Sequence, residues 1–240
     1  MGNTLSIAQQ MTLCSPFTAA NMKEAMFSTP SIKSPGPDGY SSSFFKATWG
    51  ITSPLVCQAI TQFFHTASIP SFFGKTKLVL LPKVRNPSMA QGFRPIPCCS
   101  VIYKCIAKLL CSRLKTVLPH LIHQNQGAFV KDRSILFNVL ICQDIVRGYT
   151  RKGISPRSIM KIDLQKAFDS VHWRFVKGLL NHLKFSYQFF DWIMAYLHSV
   201  SFSIHVNGKI GGEFLGRRGL KQGDPLSPLL FVLTVGYFTR

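Results

Sequence analysis

A short aliphatic run ending in a carboxylate, Lys161-Ile162-Asp163-Leu164, leads into Gln165-Lys166-Ala167-Phe168-Asp169-Ser170-Val171, a turn with a second acid and an aromatic. The pattern predicts a buried central strand from Arg157 to Asp163 that carries Asp163 to the edge of a site. Acids are scarce: nine Asp and Glu stand against 28 Lys and Arg in 240 residues. Two carboxylates six positions apart, bracketed by Lys161 and Lys166, therefore stand out from ordinary solvated surface. On these residues alone, Asp163 reads either as a metal ligand or as a strand-end residue capping the following turn.

The formal net charge of +19 points to a polyanionic partner, with nucleic acid ahead of an acidic membrane surface. The basic residues run from Lys23 to Arg240, which favours a folded groove over a basic tail; a merely soluble basic surface is the alternative. Seven cysteines without any C-x-x-C spacing argue against a zinc site or a disulfide framework, so the thiols read as reduced core residues. No apolar run is long enough to span a bilayer, and Leu229 to Leu233 is too short. No feature calls for an obligate protein partner. The length suits one large domain or two modest ones.

Along the chain, Thr18 caps a short predicted helix that ends at Phe27, and Pro35-Gly36-Pro37-Asp38-Gly39 fixes an ordered turn or an ordinary linker. A helix is expected over Pro54–His65. Lys77 to Lys83 reads as a buried strand stopped by Pro82. A basic loop then returns through Gly92 to Pro97, bringing Lys83 and Arg94 near one another. Such a pair can hold a triphosphate, Arg through its bidentate fork and Lys as a point charge, although solvated surface charge is the plainer reading of either alone. Val101 to Pro119 is the longest amphipathic helix, and Lys104, Lys108, Arg113 and Lys115 give it an outward basic face. The loop Gln124 to Ser134 places Lys131 and Arg133 as candidate phosphate-tracking residues, and Ser134 caps a helix to about Tyr149. Trp173 to Phe185 and Tyr187 to Val200 read as paired helices. Phe202 to Val206 and Ile210 to Leu215 flank Asn207-Gly208, a strong hairpin signal. Ser227-Pro228 opens a last helix.

Five blocks in this order, SPGPDGYSSSFFK, LVLLPKVRNPSMAQGFRPIPCCSVIYKCIAKLL, QGAFVKDRSIL, KIDLQKAFDSVHW and RRGLKQGDPLSPLLF, resemble the reverse transcriptase of plant LINE-type (non-LTR) retrotransposons over nearly the whole chain. The resemblance implies an α+β right-hand polymerase fold: an N-terminal segment at 1–29, fingers at 30–156, and an incomplete palm at 157–240, without a thumb. It implies that Asp163 is the catalytic ligand of two Mg²⁺ ions, with Mn²⁺ a substitute, assisted by the Leu164 carbonyl. Phe168 would lie under the incoming sugar and exclude a 2′-hydroxyl. Gln222 and Gly223 would pack on the nucleotide and template base, and Arg94 and Lys83 would contact the triphosphate. RNA template, DNA primer and deoxynucleoside triphosphates would be the partners.

Two-metal phosphoryl transfer needs more oxygen ligands than one Asp supplies. The family takes them from a Tyr-x-Asp-Asp hairpin, and this sequence holds no Asp-Asp pair and no acid after Asp224. The expectation is therefore a polymerase domain by descent, cut before that hairpin and inactive alone. Two alternatives stand beside it: a non-catalytic basic nucleic-acid-binding remnant, and a degenerate fragment that folds poorly. Phe168 stands where Tyr is common, Asp132 where Gly is common and Gly236 where Glu is usual. Asp169 reads as structural, bonding local backbone.

Overall fold

The computed structural model describes residues 3–130, 132–147, 149, 153, 158, 160–206 and 208–238. Among them lie ten α-helices and a four-stranded sheet. The N-terminal helices are α1 (Ile7–Cys14), α2 (Ala19–Phe27), α3 (Ser42–Ala47), α4 (Trp49–Thr66) and the single turn α5 (Ser71–Gly74). Each of the first three is opened by a hydroxyl: Ser6, Thr18 and Ser41 accept the backbone N–H three residues on, and Gln9 and Asn21 complete capping boxes. α4 begins five residues before Pro54, so the proline lies inside the helix rather than at its first turn.

β1 (Lys75–Pro82) and β2 (Phe93–Cys99) form an antiparallel hairpin in which Leu81 faces Arg94, and Pro82 faces Phe93. β3 (Ser201–Val206) and β4 (Lys209–Leu215) form a second antiparallel hairpin with a bulge at Ser203/Ile204. β1 pairs parallel with β3, giving the order β2-β1-β3-β4. The sheet thus joins strands from both sides of residue 156. Gly208, at φ +76°, takes the left-handed conformation that the tight turn requires, and Asn207 lies outside the described residues.

The core is organised by α6 (Val101–Leu121), which packs against α1, α2, α4, α5 and α10 (Ser227–Phe238). Its inward residues, among them Cys105, Ile106, Leu109, Leu110 and Leu114, are buried at the expected helical spacing. Behind the sheet, α8 (Trp173–His182) and α9 (Tyr187–His198) pack on each other, and Trp192 donates its indole N–H to the Phe64 carbonyl at 2.8 Å. The turn around Gly36 sits hard against the start of α6, where a Cβ would come within 2.5 Å of the Ser100 nitrogen. This is an ordered turn with a packing role, not a free linker.

Two sequence expectations change, and one helix packs unexpectedly little. The basic face of α6 is not open to a polyanion: Lys104 donates to the Ser34 carbonyl and Lys108 to the Ser28 hydroxyl. Arg113 donates to the carbonyls of Ser15 and Pro16 and lies 4.7 Å from the Phe17 ring centroid, leaving Lys115 exposed. The chain segment before α3 wraps over these cations, because its turn carbonyls need donors and the helix face supplies them. Burial accordingly lowers the Lys108 pKa. The central strand expected over Arg157–Asp163 is not formed at residues 158 and 160–163; the other residues of that stretch lie outside the description. None of the four described strands pairs with this segment, so Ile162 and Leu164 are 73% and 56% exposed instead of buried. Finally, α7 (Ile135–Arg147), with the Ser134 hydroxyl accepting the Leu136 N–H, buries no residue in spite of its apolar composition.

Leu110, fully buried in α6, tests the core. Leu110→Ala is expected to destabilise the chain by about 2–5 kcal/mol, read as a lower urea midpoint at unchanged slope.

Candidate functional site

The loop Arg217 to Asp224 is pinned at both ends, and each pin comes from a different part of the core. At its start, Gly219 N–H donates to the Val171 carbonyl at 2.8 Å and Leu220 N–H to the Phe168 carbonyl at 2.9 Å. The Trp173 indole closes the same junction with a bond to the Gly219 carbonyl. The segment around Phe168 and the segment around Gln222 are therefore hydrogen-bonded neighbours, although some fifty residues separate them in sequence. At the loop's end Asp224 is buried and fully engaged. One carboxylate oxygen accepts the Tyr196 hydroxyl, and the other accepts Leu226 N–H, Ser227 N–H and the Ser227 hydroxyl at 3.2 Å each. Asp224 thus performs the capping at α10 that the sequence assigned to Ser227.

Tyr196 of α9 stacks on Tyr103 of α6, with ring centroids 4.2 Å apart, and the Tyr103 hydroxyl donates to the Tyr196 carbonyl at 2.8 Å. The Lys221 ammonium lies 3.5 Å from the Tyr103 centroid and 5.0 Å from that of Tyr196. A cation on aromatic faces in a shielded site contributes about 0.5–2 kcal/mol. Burial first, and the Asp224 charge second, push both tyrosine hydroxyls above their ordinary pKa of 10.0.

Above this knot opens a cleft of about 1000 Å³, walled by the β1–β2 hairpin, the Gln165–Asp169 turn, α9 and the 218–224 loop. Lys83, Arg94, Phe168 and Gln222 all line it, and Gly223 lies between two residues that do. Lys83 is tethered by a 3.0 Å bond to the Gln91 carbonyl. Phe168 stacks on Phe231 of α10, centroids 4.7 Å apart and planes within 17°. Lys166, Arg218 and Lys221 add charge to the walls. These three were missed as site residues, although two of them lie in the RRGLKQGDPLSP block. Asp169 also lines the cleft, where sequence had given it a backbone-bonding role. A basic mouth, a half-buried aromatic face and an amide at Gln222 suit an anionic ligand that carries a flat ring.

The remaining candidates lie elsewhere. Asp163 and Leu164 are exposed, just before the turn that enters the cleft, and are not among its lining residues. Lys131 lies outside the described residues. Arg133 directs its guanidinium to four carbonyls, of Pro119, Ile122, His123 and Gln126. It ties off the C-terminal end of α6, where orphan carbonyls need donors. The Asp163 carboxylate and Leu164 carbonyl are oxygen donors of the kind that Mg²⁺ accepts. Among the described residues, no group of three His, Cys, Asp or Glu could hold a metal ion. The donors present therefore fit the ion in kind and fall short of a two-metal site in number.

Comparison with known proteins gives a consistent picture. A family model described as reverse transcriptase (RNA-dependent DNA polymerase) matches residues 81–240. The chain is 31% identical over 223 residues to a Xenopus laevis transposon TX1 uncharacterized 149 kDa protein, covering 93% of this chain and 17% of that one. It is 28% identical over 207 residues to a Pol polyprotein of the type-2 retrotransposable element R2DM of Drosophila melanogaster, covering 86% of this chain and 19% of that one. A probable RNA-directed DNA polymerase from the Drosophila melanogaster transposon BS is 26% identical over 236 residues, covering 95% and 26%. The chain thus spans about a quarter or less of the length of these relatives. Among solved structures, a partial Cas6-RT-Cas1–Cas2 complex matches with a TM-score of 0.51 at 18% identity, over 95% of this chain and 34% of that one.

The buried hydroxyls and thiols make stability fall in alkali. Burial pushes Cys105 from 9.0 up to about 12, and Tyr103 and Tyr196 rise above 10.0. Each group keeps its proton in the folded chain after the unfolded chain has lost it, so the stabilisation is complete below pH 9 and declines through the window above it. Denaturant titrations from pH 8 to 11 are expected to show this decline. It should be shallower in Tyr196→Phe by about one proton, or ~1.4 kcal/mol per pH unit, above pH 10.

Proposed function

Because the chain belongs to the reverse transcriptase (RNA-dependent DNA polymerase) family, in its non-LTR retrotransposon branch, we propose that its cleft receives a deoxynucleoside triphosphate during RNA-templated DNA synthesis. One observation carries the reading. Lys83 and Arg94 from one hairpin, Phe168 from a turn and Gln222 from a distant loop line the same cleft. In the proposed arrangement Arg94 and Lys83 hold the phosphates and Phe168 abuts the sugar, where a 2′-hydroxyl would collide with its ring. Gln222 and Gly223 border the base and template. Phe231, stacked beneath Phe168, keeps that ring from yielding.

Asp163, with the Leu164 carbonyl, would be the chain's own Mg²⁺ or Mn²⁺ ligand, and substrate phosphates and water would add further oxygens. The ion when bound would lower the pKa of the primer hydroxyl and screen the phosphates. The residues here orient the triphosphate and discriminate its sugar. RNA template and DNA primer are the proposed polymeric partners, held largely through phosphate charge. Within the described residues no helix is long and apolar enough to cross a membrane. The fingers, at 30–156, and the palm from 157 are retained as the functional division, with the sheet bridging them. The relatives named above are animal elements and support the retrotransposon branch rather than a plant origin. The plant LINE reading rests on the resemblance of the five sequence blocks.

The sequence holds no adjacent acid pair, so binding and turnover separate. Calorimetric titration with a deoxynucleoside triphosphate and Mg²⁺ is expected to show binding that Arg94→Gln weakens about tenfold or more, as for a lost charge-assisted contact. Equal affinity in the variant would sink the triphosphate assignment. In primer extension on an RNA template, the 240-residue chain alone is expected to yield no product. A version continued through an Asp-Asp hairpin is expected to extend the primer, and to lose that activity in Asp163→Asn. A second reading, a basic nucleic-acid-binding remnant, is favoured by the cations on the cleft walls. It predicts RNA affinity that falls steeply with salt and is indifferent to Arg94→Gln in nucleotide titrations.

A further inference from the structure

We propose that Tyr196 and Asp224 are positioning residues that hold Gln222 and Gly223 in the nucleotide-accepting conformation, an inference resting on the nucleotide reading of the cleft. The Asp224 N–H donates to the Lys221 carbonyl at 3.3 Å, which closes a four-residue turn over Lys221–Asp224. Gly223 occupies its third position at φ +87°, the conformation that a type II turn demands there and that glycine adopts without strain. A Cβ on Gly223 would meet nothing within 4 Å, so the backbone conformation, and not crowding, requires the glycine. Gln222 and Gly223 form the exposed corner of this turn, and neither carries a tertiary side-chain bond of its own among those described.

What fixes the corner is the pair of residues that flank it. Lys221 sits on the stacked faces of Tyr103 and Tyr196. Asp224 is buried, with the Tyr196 hydroxyl on one oxygen and the Leu226 N–H and both Ser227 donors on the other. Tyr196 therefore serves both ends of the turn, through its ring at Lys221 and through its hydroxyl at Asp224. A buried carboxylate that loses a donor must seek water or a new partner, and here the nearest way to do so is to let the turn unfold into the cleft. Placement errors of about 1 Å in a binding group can cost up to ~100-fold in rate, so a lock at the base of the turn can control the site.

The test uses Tyr196→Phe, which keeps the ring and the cation contact and removes only the hydroxyl, and Asp224→Ala, which removes the anchor. Both are compared with Leu110→Ala, a core variant outside the turn and not among the cleft's lining residues. Titration with a deoxynucleoside triphosphate and Mg²⁺ well below each variant's melting temperature is paired with hydrogen exchange of the 217–224 amides. Tyr196→Phe is expected to weaken nucleotide binding about tenfold and Asp224→Ala more, in line with a charged hydrogen bond lost. Exchange should rise selectively in 217–224, while Leu110→Ala leaves affinity unchanged. If the unaltered chain binds nucleotide and Tyr196→Phe binds it equally well, this inference falls and the nucleotide reading stands. If the unaltered chain binds no nucleotide, the nucleotide reading falls and takes this inference with it.

Discussion

The carboxylate of Asp224 is the constraint to which the site is tied. A buried charge in a protein interior is tolerated only when its oxygens are bonded, and here four donors from two elements converge on it. Three come from Leu226 and Ser227, where α10 begins, and add the favourable field of a helix N-terminus. The fourth, Tyr196, reaches from α9 and is itself stacked on α6 through Tyr103. One side chain thus registers three helices against a loop. The cleft above inherits its shape from that registration, since Phe168 leans on Phe231 of the same α10.

The distribution of positive charge tells a similar story of allocation. Part of the positive charge is engaged by the fold itself. Lys104, Lys108, Arg113 and Arg133 are committed to carbonyls and hydroxyls of chain segments that lack regular structure. Long cationic side chains bridge such segments well, because their stems pack while their heads donate. The cations around the cleft stand on three walls: Lys83 and Arg94 at the hairpin, Lys166 in the 165–169 turn, and Arg218 and Lys221 in the 218–224 loop.

Much of the fold was legible from local chemistry. The hydroxyl caps at Thr18 and Ser134, the alternation in Phe202 to Val206 and the spacing along α6 each have a local cause, and the elements followed within a few residues. The Lys83/Arg94 proximity was legible too, because a hairpin brings its own arms together. The strand expected before Asp163 is not formed for a non-local reason: a strand exists only when it pairs with a neighbour's backbone, and among the described residues neither edge strand, β2 or β4, pairs with this segment. No apolar pattern in a single segment reports whether such an edge is free.

The sequence by itself determined most of the elements, the motif identities and hence the family, since these depend on residue type and short spacing. The tertiary structure alone decided which candidates meet: Phe168 and Gln222 share a cleft because Leu220 bonds the Phe168 carbonyl. It alone showed that Arg133 closes a helix end and that Asp224 is locked by Tyr196. Both outcomes depend on which buried polar group finds which donor across tens to more than a hundred residues of chain. That choice is made by packing, after local propensity has been satisfied.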